Sequence, residues 1–275
     1  MQPSSDEIAR YLAEDVGTGD LTALIISPTT QASANVISRE PMVLCGQAWF
    51  EAVFRQLDTD VQISWQQHEG DYLTSDSLLC TLQGSARGLL TGERTALNLL
   101  QTLSATATTA KRYADAVSDT GCRILDTRKT LPGLRRAQKY AVTCGGCFNH
   151  RIGLFDAILI KENHISAAGS IGQAIAQARS FSKAMIEVEV ESMGELEEAL
   201  AAAPDRIMLD NFSLADLRKA VGITAGKIEL EASGNIDLDN IRQIAETGVN
   251  FISIGALTKN VKAIDLSMRI QMTEC

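Results

Sequence analysis

The hexapeptide Ile186-Glu187-Val188-Glu189-Val190-Glu191 alternates strictly between aliphatic and acidic residues. Because side chains of a strand point alternately to its two faces, this pattern predicts a strand with three carboxylates on one face. In an antiparallel sheet the carboxylates would simply face water. In a barrel, whose outer face packs on helices, they would have to face the interior.

Five further apolar runs in the part of the chain after about residue 105 predict strands. They are Arg123 to Asp126, Ala157 to Ile160, Arg206 to Leu209, Lys227 to Leu230 and Phe251 to Ile254. Stretches rich in Ala, Glu and Lys, such as Gly194 to Ala203 and Leu238 to Thr247, predict amphipathic helices between them. Strands that alternate with helices indicate right-handed βαβ units and a parallel sheet, either open and doubly wound or closed towards a small barrel.

Polar or small residues follow nearly every predicted strand. These are Asp126-Thr127-Arg128-Lys129, Lys161-Glu162-Asn163-His164, Asp210-Asn211, Glu231-Ala232-Ser233-Gly234 and Gly255. Polar groups that converge from many strand ends are typical of a barrel site, whereas an open sheet concentrates them at one switch point. We therefore expect an α/β barrel.

The first part of the chain has a different pattern. Residues 1 to about 105 mix short strand-like runs with turns, and a helical pattern covers Leu89 to Val117. We predict an α+β domain over residues 1–105 and a barrel domain over residues 106–275. Whether the residues from about Asp265 pack back on the first domain is left open.

Composition excludes several classes of protein. Apolar residues make up 45% of the 275 residues, charged residues make up 21%, and the formal net charge is -9. This charge argues against a general nucleic-acid or anionic-membrane binder. Six irregularly spaced cysteines favour reduced thiols over a disulfide scaffold. Neither a signal-peptide pattern nor an apolar run of about 20 residues is present, so we expect a soluble, cytoplasmic protein.

One segment of this acidic chain is strongly basic. Residues 123 to 161 hold only two acids, and their cations are Arg123, Arg128, Lys129, Arg135, Arg136, Lys139, Arg151 and Lys161. Arginine binds carboxylate or phosphate through two parallel hydrogen bonds, and lysine acts as a point charge. Several together predict a polyanionic ligand, although Arg135, Arg136 and Lys139 are expected in part to form a solvated helix face.

The basic segment contains a glycine loop, Cys144 to Arg151, with the sequence Cys-Gly-Gly-Cys-Phe-Asn-His-Arg. Paired glycines let backbone amides approach an anion closely. The alternative is that Cys144 and Cys147 form a redox or zinc motif. No second cysteine pair has metal-ligand spacing, so we favour packing roles for both.

Carboxylates inside a barrel need compensation. Glu229 and Glu231, with Lys227 in step, repeat the pattern of the hexapeptide. Buried like charges are unfavourable unless cations or a metal ion neutralise them, and Mg²⁺ prefers a few carboxylates with phosphate oxygens and water. Glu189 and Asp210 are the best candidates. Glu187 and Glu191 have the alternative role of structural ion pairs. The residues thus predict an α/β-barrel enzyme that acts with Mg²⁺ on a multiply anionic small molecule.

The chain closely resembles quinolinate phosphoribosyltransferases, also called carboxylating nicotinate-nucleotide pyrophosphorylases. The stretches that carry the resemblance are Glu14 to Thr22, Gly92 to Asn98, Ile124 to Gly133, Asn149 to Leu154, Ile160 to His164, Glu187 to Glu191, Leu209 to Asn211, Glu231 to Ile236 and Ser253 to Thr258. They follow one another in order along nearly the whole chain. The resemblance implies an N-terminal α/β sandwich domain and an incomplete, six- or seven-stranded α/β barrel.

The same resemblance implies a reaction in de novo NAD biosynthesis. Quinolinate and phosphoribosyl pyrophosphate would give nicotinate mononucleotide, pyrophosphate and carbon dioxide, with Mg²⁺ as cofactor. It also implies a homodimer with shared sites, in which Arg94 enters the site of the partner.

Residue roles follow from the matched positions. Arg128, His150, Arg151 and Lys161 would hold the quinolinate carboxylates, and Lys129, with Arg94 and Arg151, would meet the phosphates. Glu189, Asp210 and Lys129 would be catalytic, the first two also beside the ribose and Mg²⁺. The remaining substrate-binding residues would be Thr127, Ser233, Gly234, Ser253 and Gly255; of these, Ser233 and the two glycines would supply backbone donors to the 5′-phosphate.

The chain departs from the family pattern at Cys147 and Phe148, where glycine and a small residue are expected, and at Ala105, where glycine is usual. Three alternatives stay open. They are a molybdate-transport-associated homologue of the same fold, a nicotinate phosphoribosyltransferase that does not decarboxylate, and a non-catalytic anion-binding or thiol-redox protein.

Overall fold

The computed structural model describes residues 1–272. The described chain divides into two compact units, of which one comprises Met1–Thr109 with residues 260–272, and the other Ala110–Lys259. The boundary between them therefore lies inside the long helix Ala86–Ala116.

The first unit is built on an antiparallel sheet. Its elements are α1 (Ser5–Val16), a 3₁₀ turn (Ala23–Ile25), β1 (Gln31–Ser38), β2 (Met42–Val43), α2 (Gln47–Leu57), β3 (Gln62–Trp65), β4 (Tyr72–Leu73), β5 (Leu78–Ser85), the start of α3 (Ala86–Ala116) and β12 (Leu266–Met272). Four strands form the main sheet in the order β12-β1-β5-β3, and β2 pairs with β4. Residues 266–272 thus add an edge strand to the first unit, antiparallel to β1.

Helices cover this sheet with aromatic side chains. Trp49, Phe50 and Phe54 of α2 are almost fully buried. Gly92 of α3 faces them, and a Cβ atom there would lie 2.9 Å from the Phe54 ring. Glycine at this position therefore allows a close approach of α3 to α2 that a larger residue would prevent.

The second unit alternates strands and helices. Its elements are β6 (Arg123–Leu125), α4 (Arg135–Cys144), β7 (Ile158–Ile160), α5 (Glu162–Ala168), α6 (Ile171–Phe181), β8 (Ile186–Val190), α7 (Met193–Ala202), β9 (Arg206–Asp210), α8 (Leu214–Thr224), β10 (Glu229–Ser233), α9 (Ile241–Ala245), β11 (Phe251–Ser253) and α10 (Ala256–Lys259). The strands form one parallel sheet in the order β6-β11-β10-β9-β8-β7. Because β6 and β7 are its two edges, the barrel is incomplete, and the predicted fold is confirmed.

The two faces of the parallel sheet differ as the hexapeptide predicts. Ile186, Val188 and Val190 are fully buried in the hydrophobic core of the unit. Burial of each such side chain contributes about 1.5–3 kcal/mol. Glu187 and Glu189 lie on the opposite face and are also buried, at 1% and 8% exposure. The prediction that these carboxylates face the barrel interior is confirmed, whereas Glu191, beyond the strand, is exposed.

Serine side chains begin three successive helices of the second unit. Ser170, Ser192 and Ser213 each accept a hydrogen bond from the backbone N–H three residues later. Such a cap stabilises a helix by about 1 kcal/mol. None of the helices described between residues 1 and 272 combines the length and the apolarity needed to cross a membrane.

One strand lies further along the chain than its apolar run predicts. The run Lys227 to Leu230 suggested its position, but β10 covers Glu229–Ser233. The Lys227 N–H donates to the carbonyl of Thr224 in the turn after α8, and Gly226 in that turn has a positive φ of 73°. The prediction that Lys227 is in step with Glu229 and Glu231 is therefore wrong.

Candidate active site

A cavity of about 300 Å³ lies at the carboxyl ends of the parallel strands. Its lining residues are Thr127, Arg128, Lys129, His150, Arg151, Leu159, Lys161, Glu189, Met208, Ser233 and Ser253. They come from all six strands or from the loops that flank them. This is the position where the loops of α/β barrels form their sites.

Two arginines contribute to the positive charge of the cavity. Arg128 follows β6, and Arg151 lies in the loop before β7, where its guanidinium donates to the carbonyl of Ala157 at 3.2 Å. Burial, together with the neighbouring Arg128, lowers the pKa of the Arg151 guanidinium. An anion between the two guanidinium groups would relieve their repulsion through paired hydrogen bonds.

Lys129 is held by the backbone around it. Its N–H donates to Thr127 Oγ1 at 3.1 Å, and its carbonyl accepts from Thr258 Oγ1 at 2.7 Å. A Cβ atom on Gly255 would lie 3.1 Å from Lys129 Cδ. The predicted site residue Gly255 thus leaves space for this lysine.

Asp126 orients the loop that carries His150 and Arg151. Its carboxylate accepts from the His150 N–H at 2.9 Å and from Asn149 Nδ2 at 2.7 Å. It also pairs with Lys139 of α4, whose Nζ donates to the carbonyl of His150 at 3.0 Å. The expectation that Lys139 belongs to a solvated helix face is wrong, because this side chain is only 3% exposed.

Below the cavity lies a group of four charged or titratable side chains, His150, Glu187, Arg206 and Glu231, here called the inner cluster. His150 Nε2 is 2.7 Å from Glu187 Oε2 and 3.6 Å from Glu231 Oε2. Arg206 Nη1 is 3.2 Å from Glu231 Oε2, and its guanidinium lies 3.9 Å from the centre of the Phe251 ring.

Burial shifts the pKa values of three side chains in the inner cluster. It lowers the pKa of His150 and raises that of Glu187. Burial and then the neighbouring Glu187 raise the pKa of Glu231 to about 8. The His150 ring accepts from the Arg151 N–H at Nδ1, at 2.8 Å. Both ring nitrogens of His150 thus lie beside protein groups, Nδ1 beside the Arg151 N–H and Nε2 beside the Glu187 carboxylate.

Glu189 and Lys161 form an ion pair at the edge of the cavity. Glu189 is 8% exposed and Lys161 is 41% exposed, so the lysine is the partner that solvent reaches. Among residues 1–272, Glu162 and Glu191 complete a group whose carboxylate oxygens lie within 4.8 Å of one another and of Glu189. The other predicted metal ligand, Asp210, ends β9 and accepts from Asn211 Nδ2 at 2.7 Å.

The ends of β9 and β10 form a second, adjacent cavity of about 370 Å³, lined in part by Gly234, Asn211 and Asn235. Gly234 has a φ of +97°, and a Cβ atom there would lie only 2.1 Å from Asn211 Oδ1. Glycine is required at this position for both reasons. The predicted residue Gly234 thus borders this cavity, whereas Ser233 lines the first one.

Of the two cysteines in the glycine loop, Cys144 is partly exposed and Cys147 is buried. Cys147 is buried, and its thiol donates to the carbonyl of Ala110 at 3.1 Å. Burial raises the pKa of this thiol to about 12, which makes it a poor nucleophile and metal ligand. Phe148 is half exposed, and its ring centre lies 5.5 Å from the Arg123 guanidinium carbon. The substitution at Cys147 therefore serves packing.

The structure brings most of the predicted site residues together and adds two. Leu159 and Met208 supply apolar surface to the cavity. They pair in register with Glu187 and Glu189 respectively, so strand alternation could have identified both. Arg94 is exposed on α3 in the first unit and is not a lining residue of the cavity.

Comparisons with known proteins agree along the chain. The family model described as quinolinate phosphoribosyl transferase, C-terminal domain, matches residues 106–269. The corresponding N-terminal domain model matches residues 20–104.

Individual relatives match most of this chain and at least 80% of their own length. A probable carboxylating nicotinate-nucleotide pyrophosphorylase of Bacillus subtilis is 42% identical over 265 residues, which is 96% of this chain and 92% of that protein. The chloroplastic carboxylating enzyme of Arabidopsis thaliana is 39% identical over 94% of this chain and 80% of its own length. The structure of the nicotinate-nucleotide pyrophosphorylase from Francisella tularensis has a TM-score of 0.94 at 48% identity and covers 98% of both chains.

Proposed function

This chain belongs to the quinolinate phosphoribosyltransferase family, and from that premise we propose that it joins quinolinate to phosphoribosyl pyrophosphate. The products are nicotinate mononucleotide, pyrophosphate and carbon dioxide, a step in the biosynthesis of NAD. The observation that carries the proposal is the single cavity into which Arg128, Lys129, Arg151 and Lys161 all project.

The charge of this cavity suits quinolinate. The substrate carries two adjacent carboxylates on a flat ring, and Arg128 and Arg151 offer two planar guanidinium groups near each other. Leu159 and Met208 offer apolar surface to the ring. His150 contributes the edge of its ring to the lining, since its nitrogens face Glu187 and a backbone amide. Carboxylate recognition thus falls to Arg128, Arg151 and Lys161.

Phosphoribosyl pyrophosphate requires a second group of residues. Lys129 lines the cavity and is the cation proposed for the pyrophosphate. Ser233, Gly234 and Gly255 lie at strand ends and are proposed to bind the 5′-phosphate through backbone N–H groups. Arg94 adds a further cation if it comes from a partner subunit. The proposal therefore includes a homodimer with shared sites, supported by the exposure of Arg94 on α3.

The chemistry needs a negative charge near the anomeric carbon. As the pyridine nitrogen attacks and pyrophosphate leaves, positive charge develops on the ribose, and Glu189 and Asp210 stabilise it electrostatically. Lys161 neutralises Glu189 in this structure. Movement of the exposed lysine onto a substrate carboxylate would free the glutamate for this role. The quaternised ring nitrogen then stabilises the carbanion that remains when the 2-carboxylate leaves as carbon dioxide, and this carbon takes up a proton to give nicotinate mononucleotide.

Mg²⁺ fits the carboxylates at the cavity edge. Glu162, Glu189 and Glu191 bring oxygen ligands within 4.8 Å of one another, and hard oxygen ligands are what this ion prefers. Glu189 and Asp210 are the residues proposed to hold it, together with substrate oxygens and water. When bound, Mg²⁺ would neutralise charge on the leaving pyrophosphate.

The test is release of labelled carbon dioxide from 2-carboxyl-labelled quinolinate. Release that needs both phosphoribosyl pyrophosphate and Mg²⁺ would support the proposal, and EDTA should abolish it. Absence of release from folded protein would contradict it. Turnover of nicotinate alone would instead indicate a phosphoribosyltransferase that does not decarboxylate.

A further inference from the structure

The inner cluster contains more negative than positive charge. Glu187 and Glu231 are 1% and 0% exposed, and Arg206, with 11% of its side chain exposed, is the cation that pairs with Glu231. Three oxygens of the two carboxyl groups, Glu187 Oε1, Glu187 Oε2 and Glu231 Oε1, accept no well-aligned hydrogen bond, although Glu187 Oε2 lies 2.7 Å from His150 Nε2. Burial of an uncompensated charge and of unpaired oxygens is costly, so a further positive charge or proton is needed there.

Arg151 attracts Glu187, but its guanidinium lines the cavity beside Arg128 and is not part of the inner cluster. His150 does not supply the charge either. Its Nδ1 accepts from the Arg151 N–H at 2.8 Å, which requires this nitrogen to carry no proton. The ring is therefore neutral, with its proton on Nε2. A metal ion bound by the group His150, Glu187 and Glu231 would need the lone pair of that same Nε2, so the hydrogen bond to Nδ1 also argues against a metal there.

The remaining solution is a proton between the two carboxyl groups. A proton on Glu231 lets it donate to Glu187, which gives a Glu187 oxygen its missing donor. Glu187 in turn keeps its charge beside the Nε2–H of His150, at 2.7 Å. Arg206 balances that charge, and the inner cluster becomes neutral.

We propose that Glu231 is held in its neutral, protonated form, and that this removes one negative charge from beneath the cavity and thereby sets its affinity for a doubly charged pyridine dicarboxylate. The inference rests on the proposed function. Glu231 is a positioning residue, since it acts through His150, which lines the cavity and lies 3.6 Å from it.

The groups that face Glu231 come from every neighbouring element. They are His150 from the loop before β7, Glu187 from β8, Arg206 from β9, Ser253 from β11 and Cys122 before β6. Burial raises the pKa of the Cys122 thiol to about 12, so this thiol stays neutral. Glu187 raises the pKa of Glu231, whereas His150, Ser253 and Arg206 lower it without cancelling the effect of burial.

Loss of the Glu231 proton would place an unbalanced carboxylate under the bound dianion. The proton is present below a pH of about 8 and is lost as the pH rises through that value. If protein with ionised Glu231 binds quinolinate poorly, the Kd for quinolinate rises about tenfold between pH 7 and pH 9. Both carboxyl groups of quinolinate are ionised throughout this range, so the ligand itself does not titrate.

The experiment is calorimetric titration of the full chain with quinolinate alone, since no turnover occurs without phosphoribosyl pyrophosphate. Wild type and Glu231→Gln are compared at pH 7 and pH 9. The matched control is Glu229→Gln, on the same strand and also paired with Arg206, at 3.7 Å, but 55% exposed.

A tenfold rise in Kd for wild type and Glu229→Gln, with less than a twofold rise for Glu231→Gln, supports the inference. An equal rise in all three proteins overturns it and leaves the proposed function intact. Failure of wild type to bind quinolinate at pH 7 would instead contradict the proposed function. If Glu231→Gln does not fold, infrared difference spectra of wild type between pH 7 and pH 9 decide, because they must show loss of a protonated carboxyl band.

Discussion

Lys139 and Asp126 form an ion pair in the protein interior, with 3% and 0% of their side chains exposed. The pair joins helix α4 to the end of β6, and both residues also bind the backbone of His150. Two buried charges thus fix the loop that presents Arg151 to the cavity.

Lys139→Met should destabilise the protein by about 3–5 kcal/mol, because it leaves the Asp126 carboxylate buried without its cation. Chemical denaturation measures this loss. Lys111→Met is the matched control, since Lys111 pairs with Asp115 on an exposed helix surface and its removal should cost less than about 1 kcal/mol. Equal, small losses in the two variants would mean that the buried pair contributes nothing.

Arg128→Lys should raise the KM for quinolinate at least about tenfold, because an ammonium group cannot form the two parallel hydrogen bonds of a guanidinium. The KM for phosphoribosyl pyrophosphate should stay within about threefold, because the hydrogen bonds that are lost are those to the quinolinate carboxylates. Arg136→Lys, at an exposed position of the same basic segment, is the control and should change neither constant. A rise confined to phosphoribosyl pyrophosphate would assign Arg128 to the phosphates instead.

Glu189→Gln should lower kcat by about 100-fold, while the KM for quinolinate stays within about threefold. The amide keeps the shape of the side chain but removes the charge that faces the developing cation. Glu197→Gln, on the exposed surface of α7, should leave both constants unchanged. If Glu189→Gln weakens quinolinate binding and spares kcat, the proposed electrostatic role is wrong.

The alternation of the hexapeptide was enough to predict the inner face of the barrel, because a period of two residues cannot place Glu187 and Glu189 on different faces. The strand ends were likewise enough to predict the position of the cavity. Lys139 could not be predicted in the same way. A lysine on an amphipathic helix is usually solvated, and only the three-dimensional proximity of Asp126 explains its burial.

The protonation of the inner cluster could not be predicted from the sequence either. The pattern predicted buried carboxylates that need compensation, but it could not pair them. Arg206 begins a strand and was not recognised as a partner, although it lies 3.2 Å from Glu231. Charge balance inside a barrel depends on which side chains share a layer, and this follows from strand register rather than from spacing along the chain.

Glu231→Gln should also change how stability depends on pH. The pKa of Glu231 is raised in the folded protein to about 8 from an ordinary value of 4.5, so the folded state holds a proton that the unfolded state has lost. The free energy of unfolding contributed by this group is therefore full below pH 4.5 and falls as the pH rises to about 8. Urea denaturation of the variant should show a weaker fall between pH 5 and pH 8 than wild type. Glu229→Gln should match wild type, and an unchanged fall in Glu231→Gln would refute the assignment.

Arg94→Ala and Lys129→Ala should each abolish turnover, and a mixture of the two variants should recover part of it. If each site takes Lys129 from one subunit and Arg94 from its partner, random reassociation makes half of the dimers mixed, each with one intact site. Activity should then reach about a quarter of the wild-type value. A mixture of Lys129→Ala and Lys161→Ala is the matched control, because both lysines line the cavity of one chain and no mixed dimer regains an intact site. Equal activity in the two mixtures after unfolding and joint refolding would show that Arg94 acts within its own subunit or has no part in the site.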